Sequence, residues 1–130
     1  MPSQYLYIST APHLTADEME NILATAERNN AERGVTGFLL YNGRNFLQLL
    51  EGEESDLVAL MTRIAHDSRH SGVSLIGRKE VEERSCPTWA MRRVKIAASP
   101  DDRRAELAEA LPEGLDEDTL RLIMNFAVLN

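Results

Sequence analysis

Four polar side chains stand where the surrounding pattern calls for hydrocarbon. Asn29 and Asn30 continue a helical face marked by Ile22, Leu23 and Ala26, at the spacing that brings such residues onto one side. Gln48 lies inside Phe46-Leu47-Gln48-Leu49-Leu50 and shares a strand face with Phe46 and Leu50. Tyr7 shares a face with Tyr5 and Ser9, while Leu6 and Ile8 point the other way. Each has a plainer reading: last-turn amides capping a helix end, an edge-strand glutamine in solvent, a tyrosine that packs and bonds to a convenient neighbour. Yet a buried amide left without partners costs about 1–3 kcal/mol, so amides in a core imply something for them to bind. An amide both donates and accepts. Three of them suit a planar ring with alternating carbonyls and ring nitrogens, flavin- or pterin-like, held between two helices by Ile22 and Ile64.

Further polar residues gather at the end of the second helical segment: Arg63, Asp67, Arg69 and His70. Arg63 and Asp67 are four apart, so they read either as a surface ion pair worth about 0.2–0.5 kcal/mol or as a polar mouth for a ligand's ribityl or phosphate part. Trp89 and Met91 alternate onto one face of the last strand, where core packing is the simpler account.

The chain has 130 residues, a net charge of −7 and a single cysteine, Cys86. That length fits one domain with a short appendage. The acidity argues against nucleic acid and against anionic membrane surfaces as partners. One thiol excludes a disulfide framework or a multi-thiolate metal site within the chain. Neither a signal peptide nor a membrane-length apolar run is legible, so the expected location is the reducing cytoplasm.

The elements that must position these side chains follow from local pattern. Residues 5–9 read as a strand. Thr15 and Glu18 have capping-box spacing and open a helix whose inner face is Met19, Ile22, Leu23 and Ala26, with Gly34 as its stop. Strands are expected over residues 35–41 and 45–50, joined by Asn42-Gly43 as a two-residue hairpin turn. Ser55 or a neighbouring acid starts the second helix, with Leu57, Leu60, Met61 and Ile64 inward. Residues 73–77 and 89–96 complete a βαββαββ order. This is α+β: a ferredoxin-like sheet with two helices on one face. Ser99-Pro100-Asp101-Asp102 opens a third helix ending near Leu111, and Asp116 caps a fourth with the stripe Leu120, Ile123, Met124, Ala127 and Val128. The expected division is a sheet domain over residues 1–96 and a helical appendage over 97–130, packed on the sheet's free face.

Taken in order, Leu6-Tyr7-Ile8-Ser9, Asn29-Asn30, Gly34-Val35-Thr36-Gly37, Leu39-Leu40-Tyr41-Asn42-Gly43, Phe46-Leu47-Gln48-Leu49-Leu50-Glu51-Gly52, Arg63-Ile64, Asp67-Ser68-Arg69-His70 and Trp89-Ala90-Met91 make the chain resemble the BLUF family, flavin-binding sensors of blue light. The resemblance implies a non-covalently bound oxidised flavin, FAD with FMN as the other candidate, in a protein that is not an enzyme. It implies that Tyr7 gives an electron to the light-excited flavin and that a proton follows through Gln48, leaving its amide reoriented or tautomerised. Asn30 then contacts the ring's C4 carbonyl edge and Asn29 is a second ring contact. Arg63, Asp67, Arg69 and His70 lie near the ribityl chain and the pocket mouth, and Ile22 and Ile64 hold the ring. Trp89 and Met91 form the strand-5 pair tied to signal output, read by a downstream protein or a contact within a homo-oligomer. Cys86 departs from the family, standing where phenylalanine is common, and is expected to loosen packing before Trp89. The competing reading is a light-independent ferredoxin-like interaction module.

Overall fold

A computed structural model of the chain describes residues 1–67 and 71–129. Its elements are β1 (Ser3–Thr10), α1 (Ala16–Arg33), β2 (Thr36–Tyr41), β3 (Asn45–Gly52), α2 (Glu54–Ala65), β4 (Ser71–Glu80), β5 (Arg92–Arg93), α3 (Pro100–Ala110) and α4 (Glu117–Leu129). The five strands lie in the order β4-β1-β3-β2-β5. The first four are antiparallel, with β1 and β3 side by side at the centre, and β5 runs parallel to β2. This is the ferredoxin-like α+β arrangement with one strand added.

The helix boundaries follow their local chemistry. The Thr15 hydroxyl accepts the Glu18 N–H at 3.1 Å, and the Glu18 carboxylate accepts the Thr15 N–H at 3.0 Å, so the capping box closes in both directions. The same bonds, to the Thr15 backbone first, hold the Glu18 carboxyl below its ordinary value. Gly34 ends α1 at φ 67°, with its N–H turned back to Ala31 and Asn30. The hairpin between β2 and β3 differs from expectation by one residue. Its central residues are Gly43 and Arg44, because Tyr41 pairs with Phe46 and the Asn42 N–H bonds to Asn45. Gly43 alone carries the positive φ of 92°. Asn42 contributes its side chain instead, accepting the N–H groups of Arg44 and Asn45, which is what a short carbonyl-bearing side chain does before a turn.

β3 is apolar on both faces because both are covered. Phe46 and Leu50 pack with Tyr5, Tyr7 and Leu39 beneath Met19 and Ile22 of α1 and Leu57 and Leu60 of α2. Leu47 and Leu49 pack with Leu6, Phe38 and Leu40 beneath Leu107 of α3 and Ile123, Phe126 and Ala127 of α4. α3 and α4 therefore cover the sheet face that α1 and α2 leave open. Lys79 of β4 fastens this layer, pairing with the Asp116 carboxylate and donating to the Thr119 hydroxyl. Asp116 meanwhile caps α4 through the Thr119 N–H at 2.7 Å.

The last strand is far shorter than expected. Only Arg92 and Arg93 pair with β2, opposite Phe38 and Leu39. The residues before them are committed to other partners: the Trp89 carbonyl accepts the Gly37 N–H, and the Ala90 carbonyl accepts the Asn30 side chain. Trp89 and Met91 consequently do not share a face. Trp89 packs with the α3–α4 layer, edge-on to Phe38 at 6.1 Å between ring centres, while Met91 is buried in the α1–α2 layer. The period-two rule that put them together holds only in extended strand.

Candidate functional site

Between α1 and α2, above β3, lies a cleft of about 530 Å³ including its open mouth. Its walls are Ile22, Thr25, Ala26, Asn29 and Asn30 from α1, Leu60, Arg63 and Ile64 from α2 with Asp67 just beyond, Gln48 and Leu50 from β3, and Met91. The sequence-derived set Ile22, Asn29, Asn30, Gln48, Arg63, Ile64 and Asp67 thus comes together at one place. Arg69 and His70 lie outside the described residues. Thr25, Ala26, Leu50 and Leu60 were not anticipated, although the first two follow Ile22 at the same helical spacing. Met91 forms part of the wall, and Trp89 does not.

For Gln48 and Asn30 the plainer readings give way to position. Gln48 sits on β3, a central strand, and is only 4% exposed. Asn30 is 3% exposed. Its main-chain carbonyl ends the helix by accepting the Val35 N–H, which leaves the side chain to turn inward and donate to the Ala90 carbonyl at 2.7 Å. Arg63 is exposed at the rim and Asp67 is half-buried, which makes that end of the cleft polar.

Tyr7 is directly opposite Gln48 in the β1–β3 register. It is fully buried behind the cleft wall. Its hydroxyl has no hydrogen-bond partner among the described residues. Burial pushes the phenol well above its ordinary pKa, and the Asp67 carboxylate adds to that shift. The phenol therefore stays protonated at neutral pH. Beside it the β1–β4 pairing shifts register: Leu6 meets Gly77 and Tyr7 meets Leu75, so Ile76 is an extra residue. Such bulges re-aim side chains next to functional sites.

These features fit a flat, polar-edged ring. The cleft offers aliphatic faces from Ile22 and Ile64, amides from Asn29, Asn30 and Gln48, and a buried phenol whose hydroxyl lacks a partner one strand away. The sequence model of a family described as sensors of blue light using FAD matches residues 3–92. The chain belongs to the BLUF family. Among curated relatives of this BLUF chain, the photoactivated adenylate cyclase subunit beta of Euglena gracilis is 36% identical over 87 residues, covering 65% of this chain and 10% of the relative. The blue light- and temperature-regulated antirepressor BluF of Escherichia coli (strain K12) is 38% identical over 65 residues, 47% of this chain and 16% of the relative. The solved structure of BlrB, a BLUF protein in its dark state, matches with a TM-score of 0.74 at 28% identity, covering 99% of this chain and 97% of that one. Klebsiella pneumoniae BlrP1 with FMN and cyclic diGMP matches with a TM-score of 0.83 at 27% identity, over 98% of this chain and 34% of that one. The chain thus spans about a tenth of the first curated relatives it matches and about a third of BlrP1. Among the described residues no helix is long and apolar enough to cross a membrane.

Proposed function

We propose that this chain is a blue-light sensor that holds FAD non-covalently in the α1–α2 cleft and passes its signal to another protein or to a subunit contact without catalysing a reaction. The observation that carries the proposal is the buried Tyr7 hydroxyl, without a partner among the described residues and across one strand from Gln48. A lone buried hydroxyl costs about 1–3 kcal/mol, and Gln48 is the nearest registered side chain that can accept from it on one side and address the cleft on the other. Asn29 and Asn30 bind the polar edge of the ring, Ile22 and Ile64 its faces, and Arg63 and Asp67 the chain leaving the mouth. The family's description favours FAD over FMN.

Bound flavin supplies blue-light absorption and a strong one-electron acceptor. With that group bound, Tyr7 would give up an electron toward the cleft and its phenolic proton to Gln48, and would regain both on recombination, so that the phenol ends neutral and no net oxidation remains. The Gln48 amide then presents its donor where its acceptor stood, by rotation or by tautomerisation. Reversing one amide in a dry site is worth about 1 kcal/mol or more, enough to shift a two-state element several-fold. Met91 touches the same cleft and leads into β5, so the change has a route to the α3–α4 layer.

Absorption spectra before and after blue light test this directly. Purified chain should be yellow and should red-shift reversibly. Gln48→Leu and Tyr7→Phe should keep the flavin and lose the reversible shift. A normal photocycle in both variants refutes the assigned roles.

A further inference from the structure

On the sheet face away from the cleft, β3 carries a buried carboxylate that the photochemistry does not use. Glu51 is fully buried. It lies three residues beyond Gln48 on the same strand, about 10 Å along it, and points the opposite way. Its oxygens accept from the Gln4 side-chain amide at 3.0 Å, the Ser85 N–H at 2.9 Å, the Cys86 N–H at 3.1 Å and the Cys86 thiol at 3.2 Å. Arg84 closes the same corner from outside, donating to the Glu51 carbonyl and the Thr36 hydroxyl. Four donors converge on one side chain. A carboxylate has acceptor sites for all of them, whereas a glutamine would turn its own NH2 against a donor.

The segment held by this grip leads straight to the cleft. The Trp89 N–H bonds to the Cys86 carbonyl, the Trp89 carbonyl to Gly37, and the Ala90 carbonyl to Asn30. Met91 then enters the cleft wall. Pro87 stiffens the start of the run by restricting Cys86 to extended backbone. Residues 86–91 are thus pinned at Glu51 on one side of the sheet and at Asn30 on the other, with little slack between.

We propose that Glu51 is a positioning residue of the photocycle. By gripping Ser85 and Cys86 it sets where Trp89 and Met91 stand, and so the rate at which the Gln48 network returns in darkness. The rate assignment rests on the blue-light reading above; the grip itself does not. Releasing the segment loosens Met91 in the wall, lets water reach Gln48, and speeds the return.

The test uses the full chain with its flavin and compares wild type, Glu51→Gln, Glu51→Asp and Cys86→Ala. Trp89 is the chain's single tryptophan, so acrylamide quenching of its emission reports the segment with and without flavin. Glu51→Gln should keep the dark spectrum and the red shift but recover about tenfold faster, the rate equivalent of losing one charge-assisted contact, with Trp89 quenching raised about twofold. Glu51→Asp should fall between it and wild type. Cys86→Ala, which removes one donor and leaves the two backbone bonds, should speed recovery about twofold. Wild-type recovery and quenching in Glu51→Gln overturn the proposal. If that variant does not fold, unchanged recovery and quenching in Cys86→Ala overturn it instead. A wild-type chain that binds flavin but shows no light-driven shift defeats the blue-light reading, while dark quenching of Trp89 still decides the grip.

Discussion

Tyr7 and Cys86 are both buried acids held in their neutral forms, but their surroundings differ in kind. The Tyr7 hydroxyl lacks a partner among the described residues. Tyr7→Phe should therefore stabilise the flavin-free chain by about 1 kcal/mol, read as a higher urea midpoint. The pH dependence has a fixed sign. Because folding raises the phenol's pKa, the stability it carries is complete below the unfolded value near 10 and is lost as pH climbs toward the folded one. Wild type should lose stability above about pH 10 more steeply than Tyr7→Phe, measured as urea midpoints at two alkaline pH values. The Cys86 thiol is pushed up chiefly by burial, then by the Glu51 carboxylate and the bond to it. It should react with a disulfide reagent at pH 8 far more slowly in the folded chain than in urea, since the thiolate is the nucleophile. Cys86 is buried, and its thiol is held by a hydrogen bond to Glu51.

Among the elements, two junctions carry disproportionate weight. The capping box of α1 should be worth about 1 kcal/mol, so Thr15→Ala should lower Tm by several degrees in calorimetry without touching the cleft. Gly37 is under tighter constraint: a Cβ there would fall 2.0 Å from the Leu49 carbonyl oxygen, and its own N–H binds Trp89. Gly37→Ala should cost about 4 kcal/mol or more and yield little folded, flavin-binding protein. Much at this level was legible beforehand. Thr15, Glu18, Gly34 and Asp116 announced their helix ends by chemistry that operates within four residues, whereas Ser99 stands at the start of α3 without a side-chain capping bond. Asn42 and Gly43 announced the hairpin, and the one-residue error in its centre arose because the Asn42 side chain, not its φ, does the turning. The overlong last strand had a different origin. Residues 89–91 alternate correctly for a strand, but their carbonyls are taken by Gly37 and Asn30.

For the molecule as a whole, the sheet is a shared wall between two cores. Leu107, Leu111, Ile123 and Phe126 are buried against one face. At about 2 kcal/mol for each large side chain, their removal forfeits about 8 kcal/mol, comparable with the full stability of an ordinary domain. A chain ending at residue 96 should therefore bind a hydrophobic dye and self-associate, as size-exclusion chromatography would show, because Phe38, Leu40, Leu47 and Leu49 would face water. The same geometry bears on signalling. A displacement that begins at Gln48 can reach α3 and α4 only through the sheet or around its edge by way of Met91, Trp89 and β5.

Periodicity, capping and turn chemistry are written over short windows, so strand and helix order, the inward face of α1 and the amides Asn30 and Gln48 could be read directly from neighbours along the chain. The path of residues 84–91 could not. It depends on the Asn30 bond to a residue 60 positions away and on the Glu51 bonds to residues 34 and 35 positions away. Glu51 lies one residue beyond the strand expected over 45–50, so neither its buried face nor its partners were legible. Which donors would converge on it, and that Trp89 and Met91 would end on opposite sides of the sheet, are outcomes of long-range packing that leave no periodic trace.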